Sequence, residues 1–370
     1  MKKYFLSLII LIIAILGYYA YNKQNDIIPT NKPEIKIGII LPLTGDAAES
    51  GQAAKEALEM TLENITKTDS KYDYKLIFEN NLLETMRTVT ISNKFINYDK
   101  VQAIFSMWTP TTGEVASVSN PKKIINMACS WEDDSISGAY TFNTISTQEQ
   151  IADLLITELK KNNIKTVAIL IDNSAEPLFK VIKRKLSDTD IKIVFDEVSM
   201  IGNNDFKTSI IKANQFSPDL YITAGLPPMP FILTKQLGEI TGKRNITGID
   251  SFMEMSEEQR PIANGLWYID SNVNGNKKFV EELQNKKNIE AKSCSGNLSA
   301  SLQILVDAFE NTHLNEGETI PNNENVVSYI KSNTKNFPTV SGKASFMNDN
   351  IINIPPLVRK VEAGKIVEAY

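Results

Sequence analysis

The sequence predicts an α/β protein made of two similar units in tandem, each built around a parallel sheet. From residue 35 onward, apolar segments of four to seven residues alternate with helical segments of ten or more residues. That alternation is typical of parallel strands joined by helices. The pattern starts again after residues 141–144, and a chain of 370 residues is long enough for two domains of ordinary size.

The first unit begins with an apolar strand at residues 35–41 and a helix at residues 48–65, whose buried side carries small and aliphatic side chains. Further strands are predicted at 74–78, 103–105 and 123–127, with helices at 85–98 and 113–120. Apolar strands of this kind, separated by helices, indicate a sheet that is covered on both faces.

The second unit repeats this order. Pro177 falls at the start of a helix, where its missing N–H costs nothing. The other predicted helices are 147–162, 205–214 and 228–237, and the strands are 166–171, 191–198, 220–223, 246–248 and 265–269. Two helices at 277–287 and 298–313 and a strand-like tail at 344–346 and 356–369 complete the chain.

Residues 1–33 are predicted to be a signal peptide or membrane anchor with a linker. Lys2 and Lys3 precede an apolar run of 16 residues at 5–20. Tyr18 disfavours cleavage after Ala20, so a cleaved signal and an uncleaved anchor, formed by residues 4–21 in the inner membrane, both remain open. In either case the body of the chain is expected to be periplasmic or extracytoplasmic.

Several function classes are disfavoured by the composition. The net charge of −5 argues against a nucleic-acid partner, which would require a basic face. The single histidine, His313, is expected on the surface, and no histidine or cysteine cluster has metal-binding spacing. No glycine-rich phosphate loop is present, and the acidic residues 132–134 are interpreted as a solvated loop. We therefore expect that the protein is not an enzyme and that it binds no cofactor and no metal ion.

Cys129 and Cys294 are the two cysteines of the sequence. An exported chain permits a disulfide, but no spacing rule joins residues so far apart. Because unpaired cysteine is commonly buried as a small apolar residue, two separate buried thiols are the favoured interpretation.

Ligands of open parallel sheets bind beyond the carboxyl ends of the strands. One such strand end has an unusual sequence: residues 103–116 read AIFSMWTPTTGEVA, so a buried strand ends among hydroxyls, a tryptophan and a proline. The other strand-end loops to consider are 43–50, 128–134, 172–177, 225–230 and 250–255.

The opening of the chain resembles a known family. IKIGIILPLTG at 35–45, followed by GQAAKEALEM at 51–60, is similar to the start of type I periplasmic solute-binding proteins, in the leucine/isoleucine/valine-binding branch that serves ABC transporters. The resemblance covers about residues 34–370. Further matches follow in the family's order at 103–116, 124–130, 141–144, 166–172, 220–236, 341–346 and 361–365.

The resemblance implies two doubly wound α/β lobes joined by three hinge crossings and closing on a ligand. Lobe 1 would comprise 34–143 and 274–347, and lobe 2 would comprise 144–273 and 348–370. The implied function is capture of an amino-acid-like small molecule in the cleft between the lobes, for the permease of an ABC-type importer. A membrane-tethered protein of the same fold, which senses a ligand or regulates an envelope enzyme, is the alternative.

In amino-acid-binding members of this family, hydroxyls and backbone N–H groups of two strand-end loops hold the ligand carboxylate. The matching positions here are Thr109, Thr111, Thr112, Ala128, Cys129 and Ser130. A helix N-terminus also favours an anion, which makes such a site physically reasonable. Serine and threonine cap helices in any case, so capping alone is the competing interpretation of these residues.

Asp250 matches the position at which a second-lobe acid holds the ligand ammonium, with a solvated or capping aspartate as the alternative. The sequence also departs from the family, because Leu226 stands where an aromatic lid is usual. Trp108 and Trp131 instead fall in the first-lobe loops, where they would line the cleft or pack beneath it. These departures argue against a standard branched-chain amino acid and are compatible with an aromatic or otherwise altered ligand, or with no small ligand at all.

Overall fold

The fold is described from a computed structural model that covers residues 32–66, 69–131, 137–271, 274–347 and 350–369. The strands are β1 (Glu34–Leu41), β2 (Asp73–Asn80), β3 (Ala103–Met107), β4 (Ile125–Cys129), β5 (Thr141–Ile145), β6 (Thr166–Asp172), β7 (Lys192–Ser199), β8 (Leu220–Ala224), β9 (Ile246–Gly248), β10 (Trp267–Asp270), β11 (Phe337–Thr339), β12 (Gly342–Phe346), β13 (Ile351–Asn353), β14 (Leu357–Glu362) and β15 (Lys365–Glu368). The α-helices are α1 (Ala48–Ile65), α2 (Thr85–Lys94), α3 (Thr109–Ser119), α4 (Gln148–Lys161), α5 (Glu176–Ser187), α6 (Lys207–Asn214), α7 (Met229–Thr241), α8 (Lys277–Lys287), α9 (Ser295–Asn311) and α10 (Asn323–Asn333).

The first lobe is built on a sheet with the strand order β11-β12-β13-β5-β4-β3-β1-β2. Strands β2, β1, β3, β4, β5 and β13 run parallel to one another, whereas β12 is antiparallel to its two neighbours, β11 and β13. The central strands β3, β4 and β5 are buried along their whole length, as expected for a parallel sheet with helices on both faces.

The second lobe contains a parallel sheet with the order β7-β6-β8-β9 and an antiparallel sheet with the order β10-β14-β15. A parallel bridge between Ile249 and Ile269 connects the two sheets. This bridge places the segment after β9 next to β10, at the carboxyl ends of the second-lobe strands. The prediction of two doubly wound α/β lobes is confirmed.

Three crossings join the lobes, and they meet at one buried serine. The crossings lie between β5 and α4, between β10 and α8, and between β13 and β14. Ser146, on the first crossing, points its hydroxyl at the carbonyl of Ser271 on the second (3.1 Å) and the carbonyl of Ile354 on the third (2.6 Å). Strand β13 pairs with β5, although its residues fall in the range predicted for lobe 2. The lobe boundaries themselves stay a prediction.

Two local differences from the predicted elements have clear causes. Helix α3 begins at Thr109, four residues earlier than predicted, with Pro110 in its first turn. Helix α10 was not predicted, because only three of its mostly polar residues are buried. Its start is marked by Asn322, whose side chain accepts a hydrogen bond from the backbone N–H of Asn325 (3.0 Å).

No helix in the described ranges has the length and apolar composition needed to cross a bilayer. The predicted signal or anchor at residues 4–21 and the predicted acidic loop at 132–134 lie outside those ranges.

Candidate functional site

A small cavity, about 30 Å³ in volume, lies between the two lobes. The lobes contribute strand-end loops to its wall from both sides, as the topology of parallel sheets predicts. The lining residues are Trp108, Thr109, Cys129, Ser130, Trp131, Ile145, Ser174, Gly225, Leu226, Pro227, Ile249, Asp250, Glu254, Ser293 and Cys294.

The first-lobe wall holds a pair of hydroxyls at the N-terminus of α3. The Ser130 hydroxyl donates to the hydroxyl of Thr109 (2.9 Å). The backbone of Ser130 is fixed by Asn143 of β5, whose side chain accepts from the Ser130 N–H (3.1 Å) and donates to the Ser130 carbonyl (2.6 Å). These bonds place two oxygens, each able to donate or accept, at a rigid position on the cavity wall.

Trp108 stands directly before α3 with a φ of 67°, in the left-handed region that bulky residues rarely adopt. Its indole N–H donates to the Ser293 hydroxyl (3.2 Å), which attaches the strand end to the loop before α9. Asp250 and Cys294 also have positive φ values, of 53° and 66°. Three residues of one cavity wall therefore hold backbone conformations that cost on the order of 1–3 kcal/mol each, a feature common at functional sites.

Cys129 and Cys294 form a disulfide in this wall, with their Cα atoms 5.8 Å apart. The sequence-based preference for two separate thiols was wrong. The fold brings the end of β4 next to the residue that precedes α9, and a distance of this size suits a disulfide. Both cysteines line the cavity, so Cys129 lies where it was predicted, as half of a covalent bridge.

Asp250 forms the opposite, second-lobe part of the wall. One carboxylate oxygen accepts the backbone N–H of Ser271 (2.7 Å), and the other accepts the Ser271 hydroxyl and the indole N–H of Trp131 (3.4 Å). The contact with Trp131 crosses the cleft between the lobes. Asp250 is only 8% exposed. Burial, assisted by the negative charge of Asp270, raises the pKa of Asp250 from 3.8 to about 7.

A second buried aspartate shapes the loop that carries Leu226. Asp172, at the end of β6, accepts the backbone N–H groups of Leu226 (2.8 Å) and Ser174 (2.9 Å). Gly225 lies against it, since a Cβ added there would come within 2.7 Å of an Asp172 oxygen. Burial raises the pKa of Asp172 despite these hydrogen bonds. Leu226 is thereby held at the cavity wall, as predicted from its strand-end position.

Three predicted residues do not line the cavity. Thr111, Thr112 and Ala128 are fully buried. Because α3 starts at Thr109, both threonines lie within its first turn. The Thr111 hydroxyl donates to the carbonyls of Met107 and Trp108, and the helix has no side-chain capping hydrogen bond, so Thr111 does not cap it either. The other predicted residues, Trp108, Thr109, Cys129, Ser130, Trp131, Leu226 and Asp250, all line the cavity.

Glu254 is the most important lining residue that the sequence did not reveal. It belongs to the second lobe but accepts a hydrogen bond from the Ser50 hydroxyl at the start of α1 in the first lobe. Burial raises the pKa of Glu254, against the opposing effect of Ser50 and Lys292. Residue 254 lies within the predicted strand-end loop 250–255. That position was the only feature of the sequence that could have indicated Glu254 as a cavity residue.

An interlobe ion cluster, formed by Arg260, Glu290 and Lys292, connects the lobes beside the cavity. The Arg260 guanidinium donates to both oxygens of Glu290 (2.6 and 2.5 Å). The Lys292 ammonium lies 3.2 Å from Glu290 and donates to the carbonyls of Met253 (3.1 Å) and Met255 (2.7 Å). Arg260 and the two carbonyls belong to the second lobe, so the lobes are closed against each other on this side.

In the described ranges, no three His, Cys, Asp or Glu side chains are grouped so as to hold a metal ion. His313 is exposed at the end of α9, as the sequence indicates, and is remote from the cavity lining.

A two-lobed fold with a cavity between the lobes is typical of a class of ligand-binding proteins, and sequence comparison identifies the family. A family model described as "Periplasmic binding protein" matches residues 34–365. The chain therefore belongs to the periplasmic binding protein family. A Leu/Ile/Val-binding protein of Rhizobium johnstonii is 25% identical to it, in an alignment of 358 residues covering 92% of this chain and 95% of the relative.

Two solved structures illustrate the shared fold. A branched-chain amino acid transporter substrate-binding protein of Streptococcus pneumoniae, in complex with isoleucine, has a TM-score of 0.78 and 18% identity, covering 90% of this chain and 97% of that one. A solute-binding protein of an ABC transporter of R. palustris, in complex with benzoate, has a TM-score of 0.80 and 13% identity, covering 91% and 95%. The predicted type I fold is thus confirmed.

Proposed function

We propose that this protein is an exported solute-binding protein, rather than an enzyme, that captures an amino-acid-like small molecule between its lobes. In this proposal it delivers the ligand to the permease of an ABC-type importer. The observation that carries the proposal is the opposition of two hydroxyls and one carboxyl across a single cavity. Thr109 and Ser130 stand on the first-lobe wall, and Asp250 stands on the second-lobe wall.

This arrangement suits the two charged groups of an α-amino acid. The carboxylate would lie near the Thr109 and Ser130 hydroxyls, where the N-terminus of α3 favours negative charge. The ammonium would lie against Asp250, because a hydrogen bond between two charged groups is stronger than one between neutral groups. Trp108 and Trp131 supply large apolar surfaces for the side chain.

The family relationship supports this proposal, since the relatives named above are solute-binding proteins of ABC transporters or bind Leu, Ile and Val. We place the body of the protein outside the cytoplasm and propose that the lobes divide at the three crossings, so that β5 and β13 belong to the first lobe and the final part of the second lobe begins after β13.

The test is a thermal-shift screen of the full-length protein against the common amino acids, small amides and benzoate. At a ligand concentration 100 times Kd, binding adds about 2.7 kcal/mol to stability, which is easily measured. We expect at least one amino acid to raise Tm and the Asp250→Asn variant to lose the effect. Asp188→Asn removes an exposed second-lobe charge remote from the cavity and is the matched control. No Tm increase with any solute would refute ligand capture.

Delivery to a permease requires a separate measurement. Cells that lack the protein should take up the amino acid found in the screen more slowly than cells that have it. Equal uptake in both strains would favour a sensing role over transport.

A further inference from the structure

The cavity has an unusual balance of charge. Two carboxyl side chains, Asp250 and Glu254, line it, and the described lining residues include no lysine, arginine or histidine. A zwitterionic amino acid requires only one negative partner for its ammonium. The second carboxyl therefore has no role in the recognition of an aliphatic amino acid.

The same imbalance continues at an adjoining pocket of about 90 Å³ that shares Glu254 and Pro227 with the cavity. Three carboxylates line this second pocket, which we call the acidic mouth: Asp46, Glu49 and Glu254. Its described lining again includes no cationic side chain. Clustered charge of one sign at a cleft attracts ligands of the opposite sign.

Lys292 lies 3.7 Å from Glu49 at this pocket, and its ammonium is already bound. It donates to the Met253 and Met255 carbonyls and lies 3.2 Å from Glu290. The ammonium thus neutralises only part of the local negative charge, and most of its contacts belong to the interlobe ion cluster.

Glu254 has one oxygen satisfied and one not. The Ser50 hydroxyl donates to Oε2, and the hydroxyl and backbone N–H of Ser293 lie near enough to lower the pKa of the carboxyl, whereas Oε1 is shielded from solvent and forms no hydrogen bond of standard geometry in the described part of the chain. A buried acceptor without a donor costs about 1–3 kcal/mol. An N–H group of a ligand in the cavity would remove this cost, because Glu254 is part of the cavity wall.

We propose that the ligand carries a second cationic group, which Glu254 binds, so that the protein selects dibasic amino acids such as lysine, ornithine or arginine. This inference rests on the proposed function, in which Asp250 holds the α-ammonium. Glu254 lies by Ser50, whereas Asp250 lies by Trp131 and Ser271, so the two carboxyls occupy different parts of the wall. The tryptophan faces suit the aliphatic stem and the cation of such a side chain.

The experiment compares isosteric ligands by calorimetry on the full-length protein. L-Norleucine is lysine without the side-chain ammonium, and L-citrulline is the neutral counterpart of L-arginine. A charge-assisted hydrogen bond corresponds to roughly 10- to 100-fold in affinity. We therefore expect L-lysine and L-arginine to bind at least about 10-fold more tightly than their neutral partners. Equal or tighter binding of the neutral partners overturns the inference, and this comparison requires no variant.

Variants locate the effect. Glu254→Gln should reduce the ratio of lysine affinity to norleucine affinity to within about twofold. Glu258→Gln removes an exposed charge from the same second-lobe segment and should leave the ratio as in the wild type. An unchanged ratio in Glu254→Gln contradicts the role of Glu254. If leucine or norleucine binds and lysine does not, the proposed function stands and this inference fails. If no amino acid binds, both fail.

Discussion

Replacing Glu290 with glutamine should loosen the closed contact between the lobes without unfolding either lobe. Glu290 lies in the first lobe between α8 and α9, and it binds the Arg260 guanidinium of the second lobe through two hydrogen bonds. Burial alone would raise the pKa of Glu290, but Arg260 and Lys292 hold it below its ordinary value. Glu290 is therefore ionised near neutral pH and pairs with two cations.

The magnitude follows from the burial of the two partners. Breaking a fully buried ion pair costs about 3–5 kcal/mol. Arg260 is only 1% exposed, but the Glu290 side chain is 26% exposed, and solvent reduces the loss. Arg260 also keeps its hydrogen bonds to the carbonyls of Met255 (2.9 Å) and Gly364 (3.3 Å). We expect a loss of about 1–3 kcal/mol, or roughly 5- to 150-fold in the closing equilibrium.

Because opening the lobes separates Arg260 from Glu290, the loss falls on the closed state, which holds the ligand. The assay is calorimetry and stopped-flow dissociation with the tightest amino acid found in the screen. Affinity should fall by the factor above, mainly through faster dissociation. Glu281→Gln on α8 is the control, since its contact with Lys277 is exposed and lies within one helix. Wild-type affinity and dissociation rate in Glu290→Gln would refute this reasoning, as would a large fall in Tm with unchanged affinity.

Three further predictions concern single features. The folded-state pKa of Asp250 is raised, so the folded protein binds more protons than the unfolded chain between pH 4 and 7, and this carboxyl lowers stability as pH rises. In denaturant unfolding, the free energy of unfolding of Asp250→Asn should therefore exceed that of the wild type by up to about 4 kcal/mol at pH 8 but not at pH 4. A less stable variant at pH 8 would contradict this. Replacing Cys129 and Cys294 together by alanine should cost about 2–5 kcal/mol, measured in the same way, and a variant as stable as the oxidised protein would exclude a stabilising bridge. Gly51→Ala should destabilise by about 1–3 kcal/mol, because its Cβ would lie 2.0 Å from the Pro42 carbonyl oxygen; an unchanged Tm would show that the chain relaxes there.

The pH dependence of Asp250 involves all charged groups that surround it. Asp270 raises its pKa, while the Ser271 hydroxyl and N–H and the Trp131 indole lower it. Asp270 in turn binds Arg359 of β14. Cation binding by Asp250 should therefore release a proton below pH 7, which calorimetry in buffers of different ionisation enthalpy detects.

The sequence predicts the sheets well because strand and helix periodicity are local properties. It also placed Thr109, Trp131, Leu226 and Asp250 at the cavity, since the ends of parallel strands meet at one edge of a sheet. Helix α10 was missed because its buried face has only three residues, Val326, Val327 and Ile330.

The remaining differences depend on distances that no local pattern contains. Cys129 and Cys294 are 165 residues apart in sequence, and only the packing of α9 against the first sheet brings them together. Glu254 could not be assigned either, because its position depends on how the second lobe closes over Ser50. Thr111 was predicted to line the cavity because its hydroxyl suits a ligand carboxylate. Because α3 begins earlier than predicted, Thr111 is instead buried in the first turn of the helix.

The disulfide also determines how the molecule would respond to force. The bond between Cys129 and Cys294 closes a covalent loop of the chain from residue 129 to residue 294. This loop includes strands β5 to β10 and therefore the parallel sheet of the second lobe. If the two ends of the chain are pulled apart, tension passes through the bridge and leaves the enclosed segment unloaded. The extended length of the oxidised chain should thus fall short of that of the reduced chain by roughly 570 Å, the span of the 165 enclosed residues. Under load, the first lobe of the oxidised protein would unfold, while the parallel sheet of the second lobe would carry no tension.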